Sequence, residues 1–135
     1  MSKLMVAAWC LACAAYAAAA GAPTPQQCQK DFKLSGKTDK QFTDVTLNEW
    51  NKMLPAIWVD KGGHFLARVK ERGQQSEIHT PSDLQSLVMG GKLEKDKTPP
   101  NWDISRVYTK KYTVVFAVND KSKKCELVTF LIGTP

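Results

Sequence analysis

The sequence predicts an α+β fold, with N-terminal helices packed on a small C-terminal antiparallel sheet of three or more strands. Two observations carry this. Apolar residues recur at helical spacing up to Gly90-Gly91, and alternate as in strands from Ile104 onward. Length agrees: 135 residues, 43% of them hydrophobic, suit one buried core and are too few for two. The number of Trp, Phe, Leu and Val residues argues against disorder.

Residues 1–22 have the layout of a secretory signal peptide. Lys3 is followed by an apolar, Ala-rich stretch from Leu4 to Ala20, then small residues, then Pro23 and Pro25. The competing reading is a membrane anchor. The stretch is at the short end for a spanning helix, and Ala is a weak membrane residue. Cleavage after Ala20 or Ala22 would also remove Cys10 and Cys13, and would leave no apolar segment to hold the chain in a membrane. The expected location is then secreted or periplasmic. Cys28 and Cys125 remain, and two cysteines in an exported chain pair; the alternative is two free thiols. Two Cys and two His at these spacings match no zinc pattern, so neither metal nor cofactor is expected.

Residues 23–40 are polar, with Pro, Gln and Lys, and read as an irregular arm tied down only at Cys28. Residues 41–135 form the single domain. Val45, Leu47, Trp50, Met53, Leu54 and Ile57 lie near one helical face, with Thr43 or Thr46 as the cap and Pro55 as the stop. Asp60-Lys61-Gly62-Gly63 is a turn. From His64 to Arg72 a helix would bury Phe65, Leu66 and Val69 and end at Gly73 as a left-handed cap. A strand would instead place Phe65, Ala67 and Val69 on one face, alternating with His64, Leu66 and Arg68 on the other. Ala, Arg, Lys and Glu favour the helix. Thr80-Pro81-Ser82-Asp83 opens another helix with a cap, a first-turn proline and an acid three residues after the cap. Leu84, Leu87 and Val88 are its buried face, and Gly90-Gly91 ends it. Residues 92–101 read as a basic loop. Strands follow at Ile104–Tyr108, Tyr112–Val118 and Glu126–Ile132, the last two joined by a turn at Asn119–Ser122.

The formal net charge of +6, with a pI near 9.2, excludes an acidic-tail protein and suits an anionic partner; it also serves solubility. The sequence has two histidines, and imidazole exchanges protons near neutral pH. His79 stands at a helix entrance. On a helix, His64, Arg68 and Arg72 would share one face, placing a base beside two groups suited to phosphate. The bland alternative is a solvated basic face. There is no Gly-x-Ser-x-Gly, phosphate loop or His-Glu-x-x-His, and no carboxylate pair at a useful spacing. Glu71, Glu77 and Asp83 read as surface or capping residues. His-based acid–base chemistry with cationic stabilisation then points to RNA, which carries its own 2′-hydroxyl nucleophile.

The run His64-Phe65-Leu66-Ala67-Arg68-Val69-Lys70-Glu71-Arg72-Gly73 resembles the first helix of small metal-independent ribonuclease toxins of the RelE/barnase-like group. The resemblance covers His64 to Ile132. Gly62-Gly63-His64-x-x-Ala67-Arg68 is also similar to the opening of RNase A-like domains in contact-dependent inhibition toxins. The resemblance implies that a Thr or Tyr on a late strand joins the His and Arg. Thr129, in Leu127-Val128-Thr129-Phe130, is that residue, with Thr113 or Tyr112 behind it. It implies a toxin-type endoribonuclease with His64, Arg68, Arg72 and Thr129 as catalytic residues. The substrate contacts would be Lys61, Lys92, Lys110, Lys111, Tyr112 and Thr113, with Lys95 and Lys97 drawing the RNA backbone. Such toxins usually end a larger polypeptide or lie in the cytoplasm beside an antitoxin, whereas this domain stands behind a signal. An exported nuclease further implies an acidic immunity protein, and the chain itself is expected to be a monomer. The rival reading is a secreted or periplasmic non-enzymatic binding or inhibitor protein with a basic face, anchored by Trp58 or Trp102.

Overall fold

The structure, a computed structural model, describes residues 21–95 and 104–133. The signal-like residues 1–20, with Cys10 and Cys13, lie outside the described residues, as do Lys97 and Trp102.

The segment 23–40, expected as an irregular arm tied down only at Cys28, contains a helix and packs onto the domain at several points. Thr24 and Gln27 form a reciprocal capping box that starts helix α1, Pro25–Lys30, with Pro25 in its first turn. Cys28 and Phe32 are buried in the core. The Gln29 amide donates to the carbonyls of Val88 and Gly91, and the Leu34 N–H donates to the Gln85 side chain. The polar composition misled because these residues bond distant backbone rather than water.

The expected helix after Thr43 is shorter than its pattern. A 3-10 turn at Phe42–Asp44 precedes α2, Leu47–Met53, which Thr46 and Glu49 open with a second capping box. It ends at Met53, because Leu54, the residue before Pro55, is already extended; the position before a proline disfavours helix. The chain then makes a two-residue strand β1, Trp58–Val59, and enters α3, His64–Gly73, through a 3-10 turn at Lys61–Gly63. The helical reading of 64–73 holds, with Phe65, Leu66 and Val69 buried. Gly73, however, is inside the helix and is not a left-handed cap. Its reason is space, because a Cβ there would come 2.6 Å from the Ile78 carbonyl oxygen. Helix α4, Pro81–Gly90, has the expected cap, proline and buried face.

The sheet is five-stranded, with order β1-β5-β4-β3-β2. Strand β2 is Lys92–Lys95, where a loop was expected; β3 is Ile104–Tyr108, β4 Tyr112–Asn119 and β5 Lys124–Ile132. It is mixed rather than purely antiparallel, because β1 pairs parallel to β5. Helices also do not all precede strands, since β1 separates α2 from α3. These short edge strands were unreadable for one reason: Trp58–Val59 and Lys92–Lys95 are too brief for a period, and pairing alone makes them strands.

Core packing follows the register. Tyr112, Val114 and Phe116 of β4 face Phe130 and Leu127 of β5 and Val107 of β3 on the helix side. Phe65 of α3 meets Phe130 edge-on, and Trp58 meets Phe32 and Phe116 edge-on. Trp58 is thus a core residue, not a surface anchor, and its indole N–H donates to the Cys28 carbonyl. Cys28 and Cys125 form a disulfide spanning 97 positions, which joins α1 to the strand beside β1. Closing a loop near 100 residues stabilises by about 4.7 kcal/mol in the chain-entropy model. Among the described residues no helix is long and apolar enough to cross a membrane.

Candidate functional site: the α3 row and strand β5

Helix α3 begins at His64 because of Asp60. Both Gly62 and Gly63 take positive φ, 67° and 72°, which frees the chain to turn sharply into the helix. The Asp60 carboxylate then acts as the cap from four residues before the helix. It accepts from the Phe65 N–H at 3.0 Å, the Leu66 N–H at 2.9 Å and the Trp50 indole N–H at 3.0 Å. Asp60 is only 3% exposed. A carboxylate at a helix N-terminus is stabilised by the helix dipole as well as by these bonds. Sequence reasoning saw only a turn; an Asp before two glycines and an amphipathic helix was the available signal.

His64, Arg68 and Arg72 do share a helix row. A four-residue step advances about 40° around the axis, so the row winds from solvent toward the core. His64 is accordingly exposed, whereas Arg68 and Arg72 are half-buried. Arg68 pairs with Glu71 at 3.1 Å. The Arg72 guanidinium reaches β5 and donates to the Phe130 carbonyl. That carbonyl lies past the two residues where β1 covers the β5 edge, at Cys125 and Glu126. Arg72 therefore completes an edge that no described strand pairs.

Thr129 is the neighbour of Phe130 and is half-buried. Its strand carries a β-bulge: Val115 pairs with Thr129 and Phe116 with Leu127, which leaves Val128 as the extra residue. Bulges re-aim neighbouring side chains. Alternation from Phe130 puts Thr129 on the face opposite the helices. The structure thus joins Arg72 to the strand of Thr129, while His64 and Arg68 stand farther around α3.

The remaining expected contacts divide. Tyr112 is buried, stacks on Phe130, and its hydroxyl accepts from the Glu77 N–H at 2.9 Å, so it cannot face a substrate. Thr113 is 1% exposed, and its hydroxyl donates to the Gly133 carbonyl at 2.7 Å. Lys61 pairs with Glu126 at 2.9 Å and Lys111 with Glu77 at 3.3 Å. Lys92 and Lys110 are exposed, Lys92 on the edge strand and Lys110 in the β3–β4 turn. His79 is exposed at the α4 entrance, where its N–H donates to Asp83. Described hollows lie apart from His64: one between residues 35–37 and α2, one at the β4–β5 hairpin, and one beside Lys70 and His79.

The register also brings forward two residues that motif reading passed over. Arg106 and Tyr108 share with Thr129 the sheet face opposite the described helices: Arg106 pairs with Val115, which pairs with Thr129, and Tyr108 pairs with Thr113. The alternation in Ile104-Ser105-Arg106-Val107-Tyr108 was their signal. Comparison with known proteins adds nothing, as no family model, curated protein or solved structure matches the chain.

Proposed function

We propose that this chain is an exported, metal-independent endoribonuclease of toxin type. The observation that supports it is the Arg72 bond to the Phe130 carbonyl, which ties the C-terminal end of the His64–Arg68–Arg72 row to the strand of Thr129. In the proposed reaction His64 takes the proton of the RNA 2′-hydroxyl. The 2′-oxygen attacks phosphorus, the bond to the 5′-oxygen breaks, and that oxygen takes a proton from water. The products are a 2′,3′-cyclic phosphate and a 5′-hydroxyl. Arg72 commits one N–H to Phe130 and keeps others for phosphate oxygens. Among the described residues Arg68 is held by an exposed pair with Glu71, which a phosphate can displace. Thr129, on the other face of β5, stands behind the Arg72-bound edge rather than beside His64, and the surface lysines draw the RNA by charge. An acidic immunity protein is the partner proposed for the basic surface.

The test is incubation of the mature chain with RNA, with and without EDTA. Cleavage should be unaffected by EDTA and should yield 2′,3′-cyclic phosphate ends. His64→Ala should lower the rate by about 10²- to 10⁴-fold. Its thermal midpoint should stay put, because the side chain is exposed. Full activity in that variant removes His64 from the site. A second reading, a secreted binding protein, is favoured by the placement of the described hollows away from His64. It takes over if the wild type cleaves no RNA.

A further inference from the structure

We infer that the β4–β5 hairpin and the turn before α3 form one phosphate-binding surface, on which Lys61, Lys121 and Lys123 hold the backbone of a single-stranded RNA near His64. The choice of RNA as the occupant rests on the nuclease reading; the placement of the lysines rests on register and ion pairs.

Helix α3 runs from one end of the sheet to the other, and its contacts show which end is which. Just before it starts, Lys61 pairs with Glu126 at 2.9 Å, and Glu126 stands opposite Ala117. Past its end, the Glu77 N–H donates to the Tyr112 hydroxyl, and Glu77 pairs with Lys111. Ala117 is close to the last rung before the hairpin tip, Asn119–Lys124, whereas Tyr112 begins β4 at the other end. His64, at the start of α3, therefore belongs to the hairpin end. Lys92, Lys110 and Lys111, expected as substrate contacts, belong to the other: Lys92 pairs with Tyr108, and residues 109–111 turn from β3 into β4. Lys95 lies at the hairpin end but on β2, three strands across from β5.

Distance decides between the two groups. Along β4, Ala117 lies about 7 Å from Asn119 and about 17 Å from Tyr112 at the rise of an extended strand. Exposed charges in physiological salt are screened over about 8 Å. Phosphates flanking a bond held at His64 thus feel the hairpin lysines, while the far group is screened out.

The hairpin tip is fixed so that its lysines project. The Asn119 side-chain oxygen accepts from the Lys121 and Ser122 N–H groups at 2.9 and 3.1 Å, and Lys123 takes a left-handed φ of 60°. Lys121 and Lys123 are exposed, and no ion pair among the described residues engages either. Lys124 is spent on the Ala56 carbonyl. Lys61 gives one N–H to Glu126 and keeps two for a phosphate. Two carboxylates stand close by. Glu126 is neutralised by Lys61 and accepts from the Asn119 amide at 3.0 Å. Asp120 is exposed and opposes a phosphate. Between them lies a hollow of about 350 Å³, lined by residues 117–121 and Glu126, which gives room to the ribose and base attached to a phosphate on Lys121.

The experiment uses the full mature chain and a fluorescent, uncleavable 2′-O-methyl RNA oligomer, followed by anisotropy across a salt series. Each phosphate contact on a single strand contributes about 0.7 to the slope of log affinity against log salt. The double variant Lys121→Ala/Lys123→Ala should make that slope shallower by about 1.4. Lys92→Ala/Lys110→Ala removes the same charge and should change it by less than half as much. Asp120→Asn should tighten binding by about 1.5- to 5-fold, a gain that misfolding cannot mimic. A wild-type slope in the hairpin variant, equal changes in the two double variants, or weaker binding by Asp120→Asn overturns the surface. Wild type that cleaves RNA while the two double variants lose slope equally leaves the nuclease reading and removes the surface. Wild type that binds the oligomer through the hairpin and cleaves nothing does the reverse. No binding at low salt removes both.

Discussion

Asp60→Ala should destabilise the domain by about 2–4 kcal/mol. The carboxylate takes three N–H donors, and each is orphaned by the change. The Trp50 ring is fully buried, so its indole N–H has no water to turn to. An unpaired buried donor costs about 1–3 kcal/mol. The Phe65 and Leu66 N–H groups lose their cap, which costs about 1 kcal/mol in typical helices. Returning a buried carboxylate to solvent on unfolding no longer favours the unfolded chain, and this offsets part of the loss. Asp60→Asn separates the contributions. Its carbonyl oxygen can keep Leu66 and Trp50, but its NH₂ then opposes the Phe65 N–H. About half the loss should remain. Urea unfolding followed by tryptophan fluorescence reads both variants. With m near 1.5 kcal/mol/M, a 3 kcal/mol loss moves the midpoint by about 2 M. An Asp60→Ala midpoint within about 0.3 M of wild type would show that the α3 start does not depend on this carboxylate. Under the proposed nuclease reading, in which the start of α3 positions His64, RNA cleavage by this variant should also fall at temperatures where it stays folded.

Arg72→Ala and Arg68→Ala should separate in thermal melts. The first leaves the Phe130 carbonyl without its charged donor and should cost about 1.5–3 kcal/mol; the second loses only an exposed pair, worth less than about 0.5 kcal/mol. Equal melting points would refute the edge-completing role of Arg72. Glu49 is held down to a pKa of about 2, first by the Lys40 side-chain bond and then by the Thr46 backbone. A depressed carboxylate contributes above its unfolded value of 4.5, and the contribution fades as pH falls from there toward 2. An NMR titration of its side chain should show this value, and Lys40→Ala should raise it; an ordinary carboxylate midpoint in wild type would refute the pairing. Gly63→Ala should cost about 1–2 kcal/mol, since φ is +72° and the added carbon would meet Leu47 at 2.7 Å. A neutral result in urea unfolding would mean that Leu47 and the backbone relax freely.

Sequence alone determined what depends on neighbours along the chain. The Thr80-Pro81-Ser82-Asp83 cap, the buried faces of α3 and α4 and the β4–β5 hairpin were all legible, because capping, helical period and turn chemistry act within a few residues. The Cys28–Cys125 bridge was legible for another reason: few alternatives existed once the first two cysteines were set aside as leader residues. Tertiary structure decided whatever depends on a distant partner. Lys92–Lys95 is a strand only because β3 pairs with it, and Trp58–Val59 only because β5 does. Residues 24–34 are ordered by Val88, Gly91 and Gln85, more than fifty positions away. The His64–Arg68–Arg72 row was readable as a row, but its meeting with Phe130 was not. Tyr112 and Tyr108 show the same division. Alternation gives each strand two faces, and only the packing of α3 on β5 says that Tyr112 faces the helices and Tyr108 the opposite side. Burial is a property of which surfaces meet, and a linear pattern can name the two faces of a strand without saying which one is covered.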